Sequence, residues 1–200
     1  MSHEGTGAQV RVGCATLCRT IAGDPASTLL DSPRVNEPSH PRARELVRIL
    51  GLQPHPEGGA FREVFRSSRG VRPADGRAER SALTAIYFLL ADGGASRWHR
   101  VASDESWCWL EGDPLELWRM PDAAGPAERE VLGPVAEGVR ALAVVPAGEW
   151  QAARTRGAYT LVACMVGPGF DFADFEMLSD LPDDAERTRS HAGAEAAALI

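Results

Sequence analysis

The amino-acid sequence predicts an all-β domain of about eight strands, with one short helix on its N-terminal side. Three observations carry this. Apolar runs such as Thr84-Ala85-Ile86-Tyr87-Phe88-Leu89-Leu90 are of strand length and rich in β-branched and aromatic residues. Glycine and proline punctuate them at Asp92-Gly93-Gly94, Gly112-Asp113-Pro114 and Gly167-Pro168-Gly169. A helix signal with both ends marked occurs at Pro41 to Gly51.

In chain order, residues 1–40 are rich in Gly, Ser, Thr, Pro and Asp and read as a flexible extension, with a short extended piece at Val10-Arg11-Val12. Ser39 or His40 caps a helix whose first residue is Pro41 and whose stop is Gly51; Leu46, Val47, Ile49 and Leu50 should pack it on the outside of the barrel. Gly58-Gly59 permits a tight approach before a strand with Phe61, Val64 and Phe65, and Arg69 to Arg80 reads as a polar loop. After the Ala82–Leu90 strand, the central stretch reads as a hairpin, with His99 and Val101 on one strand, a turn at Ala102 to Asp104, and Glu105, Trp107 and Trp109 on the other. Period-two alternation puts those five on one face, with Trp98 and Cys108 facing away. Pro114 to Met120, with an edge-seeking Trp118, Glu130 to Pro134, Ala141 to Pro146 and Ala158 to Val166 bring the count to about the eight strands that a jelly roll needs. Phe170 to Met177 reads as an irregular extended end, and residues 179–200 as a tail, either a loosely held helix or disordered. The folded domain is expected over residues 41–178.

Composition sets the outer bounds. With 200 residues, 44% hydrophobic and no long apolar run, one globular domain and no membrane span are expected. A net charge of −7 and the absence of lysine argue against nucleic acid or an anionic membrane as partner. Cys14, Cys18, Cys108 and Cys164, without a secretory leader pattern, suit the reducing cytoplasm. Cys14 and Cys18 lack a second Cys or His pair at zinc-site spacing and read as incidental thiols.

Two motifs carry the chemistry. The first runs Gly93, five residues, His99, one residue, Val101, three residues, Glu105, six residues, Gly112; the second is Pro146-Ala147-Gly148-Glu149-Trp150-Gln151. Together they resemble the two motifs of the cupin superfamily. The phrases Pro54-His55-Pro56-Glu57-Gly58-Gly59, Trp98-His99-Arg100-Val101 and Pro168-Gly169-Phe170-Asp171-Phe172 are similar to its cupin_5 group, formerly a domain of unknown function. That resemblance implies a double-stranded β-helix, usually a homodimer. It also implies a metal site of three histidines and a glutamate, of which this chain keeps His99 and Glu105, with Val101 and Gln151 in the remaining places.

Valine cannot ligate and a glutamine is a weak neutral donor, so the sequence argues for no cofactor; a divalent metal on His99, Glu105 and Gln151 is the alternative. The sharper reading is metal-independent acid–base chemistry on a small carbonyl compound, as in an epimerase, isomerase, cyclase or lyase. His99 would move the proton and Glu105 would orient it. Arg62, Tyr87, Val101, Trp107, Trp109 and Gln151 are then the expected substrate-binding residues, with Arg62 offering a fork to an anion or carbonyl. A surface ion pair of Arg62 with Glu57 or Glu63 competes with that role. Two other functional classes stay open, a non-catalytic ligand-binding or sensor cupin and a metal-dependent oxygenase or isomerase.

Overall fold

In the computed structural model, residues 37–200 are described, so the N-terminal extension up to residue 36, with Cys14 and Cys18, lies outside the described residues. The chain runs α1 Pro41–Leu50, β1 Gln53–Pro54, β2 Ala60–Arg66, β3 Gly70–Val71, β4 Arg80–Ser81, β5 Thr84–Ala91 and β6 Ala95–Val101. It continues through β7 Asp104–Gly112, β8 Leu115–Met120, β9 Glu128–Leu132, β10 Val139–Arg140, β11 Leu142–Val145, β12 Trp150–Thr155 and β13 Tyr159–Gly167. A one-turn 3-10 helix, β14 Phe175–Met177, a second such turn, α2 Pro182–His191 and α3 Ala194–Ala197 complete it.

The strands form two facing six-stranded sheets, ordered β1-β2-β5-β13-β7-β11 and β10-β9-β8-β12-β6-β14, which is a jelly roll. Phe88, Leu90, Trp107, Leu115, Leu117 and Val162 fill the space between them. Helix α1 covers the outer face of the first sheet, where Ala43 and Leu46 meet Leu89 and Leu161. Pro41 opens it, and Gly51 closes it in the left-handed conformation at φ 62°. Among the described residues, no helix is long and apolar enough to cross a membrane.

Four local expectations are corrected. The central stretch is not a hairpin: β6 pairs with β12 and β14, whereas β7 pairs with β11 and β13. The turn at Ala102-Ser103 carries the chain from one sheet to the other, so His99 and Glu105 reach the interior from opposite walls. Trp118 is not at an edge; β8 lies between β9 and β12, and the indole is buried. The polar segment 69–80 contributes to the two-stranded ribbon of β3 and β4. The C-terminal helices are held tightly, since their small side chains let backbone approach a large indole: Trp98 Nε1 donates to the Ala196 carbonyl at 2.7 Å, and Ala185, Ala196 and Leu199 are buried against Trp98, Trp118 and Trp150.

Candidate active site

A cavity of about 260 Å³ opens at one end of the sandwich. Its floor holds His55, Glu57, His99 and Glu105, and its walls are apolar, with Phe61, Ile86, Phe88, Val101 and Val166. Glu63, Arg66, Phe170, Asp171, Phe172 and Phe175 form the mouth.

Glu57 reaches the floor because of the turn before β2. A side chain at Gly58, φ 115°, would strike the Ala95 carbonyl at 2.2 Å, so only glycine lets the turn lie against the start of β6. The Arg97 amide then donates to the Glu57 carbonyl at 2.8 Å, and Arg97 Nη2 to the Pro56 carbonyl at 2.6 Å. The β6 strand carries a bulge, with Gln151 opposite His99 and Ala153 opposite Ser96. The extra residue turns Ser96 and His99 to the same side, which strict alternation would forbid. Ser96 Oγ donates to Glu57 Oε1 at 2.9 Å, and His99 Nε2 stands 3.3 Å from Glu57 Oε2.

The hydrogen bonding assigns the state of His99. Nδ1 lies 2.8 Å from the Arg97 carbonyl, which can only accept, so Nδ1 carries a proton. A bare Nε2 would turn its lone pair on the Glu57 carboxylate. With Nδ1 donating to that carbonyl, one proton between Nε2 and Glu57 Oε2 satisfies the facing edge of the ring. Burial by itself would push the Glu57 carboxyl up, but the His99 charge and the contacts from His55 and Ser96 outweigh it and hold Glu57 below the usual carboxylate range.

Glu105 lives in the opposite environment. Burial pushes its carboxyl above the usual range, and the Glu57 charge adds to the rise; His99, Gln151 and Cys164 offset it only in part. Gln151 Nε2 donates to Glu105 Oε2 at 2.6 Å, while Gln151 Oε1 accepts from Trp107 Nε1 at 2.9 Å. Burial and Glu105 likewise keep Cys164 a thiol, its pKa pushed well up.

Of the residues singled out in the sequence, His99, Glu105 and Val101 line this cavity. Gln151 is fully buried behind Glu105 and does not line it. Trp107 and Trp109 share the inward face with Glu105 but lie about 7 and 13 Å further along β7, at ~3.3 Å per residue, within the packed core. Tyr87 is corrected: Thr84, Ile86 and Phe88 take the inward positions of β5, and Tyr87 packs outward on the α1 side. Arg62 is corrected too, since it faces outward between the inward Phe61 and Glu63, with its guanidinium beside Gly51. The cavity arginine is Arg66, which a bulge between Glu63 and Phe65 brings to the inward face. Glu57 and Glu63 are cavity residues, not surface partners of Arg62.

The sequence reading missed Glu57 and His55 as site residues, although the phrase that carries them was plain. The usable signal was Gly58-Gly59: a double glycine next to a histidine and a carboxylate marks a place where backbone approaches something closely.

The cupin metal positions do not fit a metal here. Val101 brings no donor, and both amide atoms of Gln151 are spent on Trp107 and Glu105. Both nitrogens of His99 face acceptors, and no group of three or more His, Cys, Asp or Glu side chains among the described residues is arranged to hold an ion.

No curated protein matches the chain. A hypothetical protein from Leishmania major is 33% identical, over 76% of this chain and 99% of its own, with a TM-score of 0.64. A protein from Shewanella oneidensis with a known crystal structure is 30% identical, over 74% and 96%, with a TM-score of 0.61. The family model described as Cupin superfamily (DUF985) matches residues 44–178, and with the two-sheet jelly roll and paired motifs in place, the chain belongs to the cupin_5 family of the cupin superfamily.

Proposed function

We propose that this protein is a metal-independent acid–base enzyme acting on a small carbonyl compound. The observation that carries it is the pair of carboxyl groups in one cavity, Glu57 and Glu105, whose surroundings drive their pKa values in opposite directions. Such a pair divides into base and acid at one pH. Glu57, ionised, takes a proton from the carbon beside the carbonyl. The C–H electrons form a C=C bond, and the carbonyl oxygen receives the Glu105 proton, giving an enol; the Glu57 proton returning to carbon while the enol O–H proton returns to Glu105 restores the carbonyl and completes an isomerisation or epimerisation. His99 is a positioning residue, whose charge keeps Glu57 ionised, and Gln151 holds Glu105.

The test is deuterium exchange next to the carbonyl in a panel of small ketones and aldehydes, followed by NMR in the presence of a chelator. Exchange that the wild type catalyses and Glu57→Gln does not is the expected result. Exchange lost on chelation and restored by one divalent ion would replace this reading with a metal-dependent one. Ligand binding without exchange would leave a binding module.

We further propose a homodimer. The outer face of the first sheet leaves Leu110, Leu142 and Val144 about half exposed, on and beside the edge strand β11. Apolar surface at an unpaired edge favours a second copy.

A further inference from the structure

The charges of the cavity narrow what it can take. Glu57 is matched by His99, and Glu63 by Arg66, with Nε to Oε1 at 3.0 Å and Nη2 to Oε2 at 2.7 Å. Arg66 Nη1 is spent on the Phe170 carbonyl at 3.1 Å. His55 Nδ1 lies 3.3 Å from Glu57 Oε2. Asp171, exposed at the mouth and near Arg66 and Arg80, makes no direct ion pair among the described residues; one of its oxygens accepts from the Ala173 amide. An anion would therefore pass a carboxylate on its way in and find no uncommitted cation inside. A buried cation would meet Glu105, whose charge burial disfavours, and otherwise Asp171, outside at the rim. Both would bury an unpaired charge.

The rings narrow it further. His55 and Phe61 meet edge to face at 4.6 Å, Phe170 and Phe172 at 5.0 Å, and Phe172 and Phe175 at 6.0 Å. Rings held perpendicular present faces and edges together, which suits a flat partner.

We infer that the cavity binds an uncharged, flat and largely apolar carbonyl compound, such as an aryl ketone or aldehyde, and that the Glu63–Arg66 pair is what turns anions away. The carbonyl rests on the acid–base reading; the charge and shape rest on the pairing and the rings alone.

The experiment titrates the full chain with acetophenone, benzoate and benzylamine, which share one ring and differ in charge, and reads binding by ligand-observed NMR. Acetophenone should bind at least about tenfold tighter than either ion. In Glu63→Gln, which leaves Arg66 without its carboxylate, the benzoate-to-acetophenone affinity ratio should rise by about tenfold. The inference is overturned if either ion binds wild type as tightly as acetophenone, if none of the three binds at millimolar concentration, or if Glu63→Gln leaves the ratio unmoved. Acetophenone bound without exchange of its methyl protons would sink the acid–base reading and spare this one; exchange on an anionic keto acid would do the reverse.

Discussion

His99 serves Glu57: its Nε2 stands 3.3 Å from Glu57 Oε2, and its Nδ1 is committed to the Arg97 carbonyl at 2.8 Å. With both nitrogens engaged, the imidazole presents no free proton site to a ligand, and in the proposed reaction the carboxyl groups handle the protons. Among the described residues no hydrogen bond joins Glu105 to His99; Glu105 accepts from Gln151 instead. In the proposed reaction the histidine is the positioning group, and the carboxylate it positions is Glu57.

A first prediction tests that order. His99→Gln removes the cation beside Glu57, so the Glu57 pKa rises and the acidic limb of the pH–rate profile moves to higher pH, with kcat lower by about a hundredfold. A lower rate with an unmoved limb would show a merely structural role for the ring.

Stability should follow the two carboxyls in opposite senses. Glu57 is depressed in the folded state, so its contribution is present above the unfolded value near ~4.3 and is lost as pH falls through its folded pKa. Glu105 is raised, so the folded state holds a proton the unfolded chain releases, and stability declines as pH rises from ~4.3 through the raised value. Glu105→Gln should abolish that decline, which calorimetric Tm measurements across this range will show as a flatter alkaline side.

Asp174 ties the mouth to the ribbon of β3 and β4. Arg80 grips it with two bonds of 2.8 Å and Arg77 with one of 2.8 Å, and these, against a smaller opposing effect of burial, hold its carboxyl below the usual range. Asp174→Ala should free the segment that carries Phe170, Phe172 and Phe175, raising KM by about tenfold while kcat changes little. Equal loss in both would place Asp174 in the chemistry instead.

For the dimer, wild type should sediment at twice the chain mass at micromolar concentration, and Leu142→Asp with Val144→Asp should sediment as a monomer with its circular dichroism unchanged. A monomeric wild type would refute the proposal.

Local propensity and period-two alternation were enough to read the fold class, the helix between Pro41 and Gly51, most strand positions, and the inward parity of His99 with Val101 on one strand and of Glu105 with Trp107 on the next. It did not show that β6 and β7 belong to different sheets, since pairing depends on partners distant in the chain. Nor did it show the two bulges. One turns Ser96 beside His99 and the other brings Arg66, rather than Arg62, into the cavity, and each breaks alternation where the opposing strand and not the local residues sets the register. Glu57 needed tertiary structure most. Its place beside His99 depends on a glycine turn lying against the backbone of a strand some forty residues away, a contact with no periodicity to betray it.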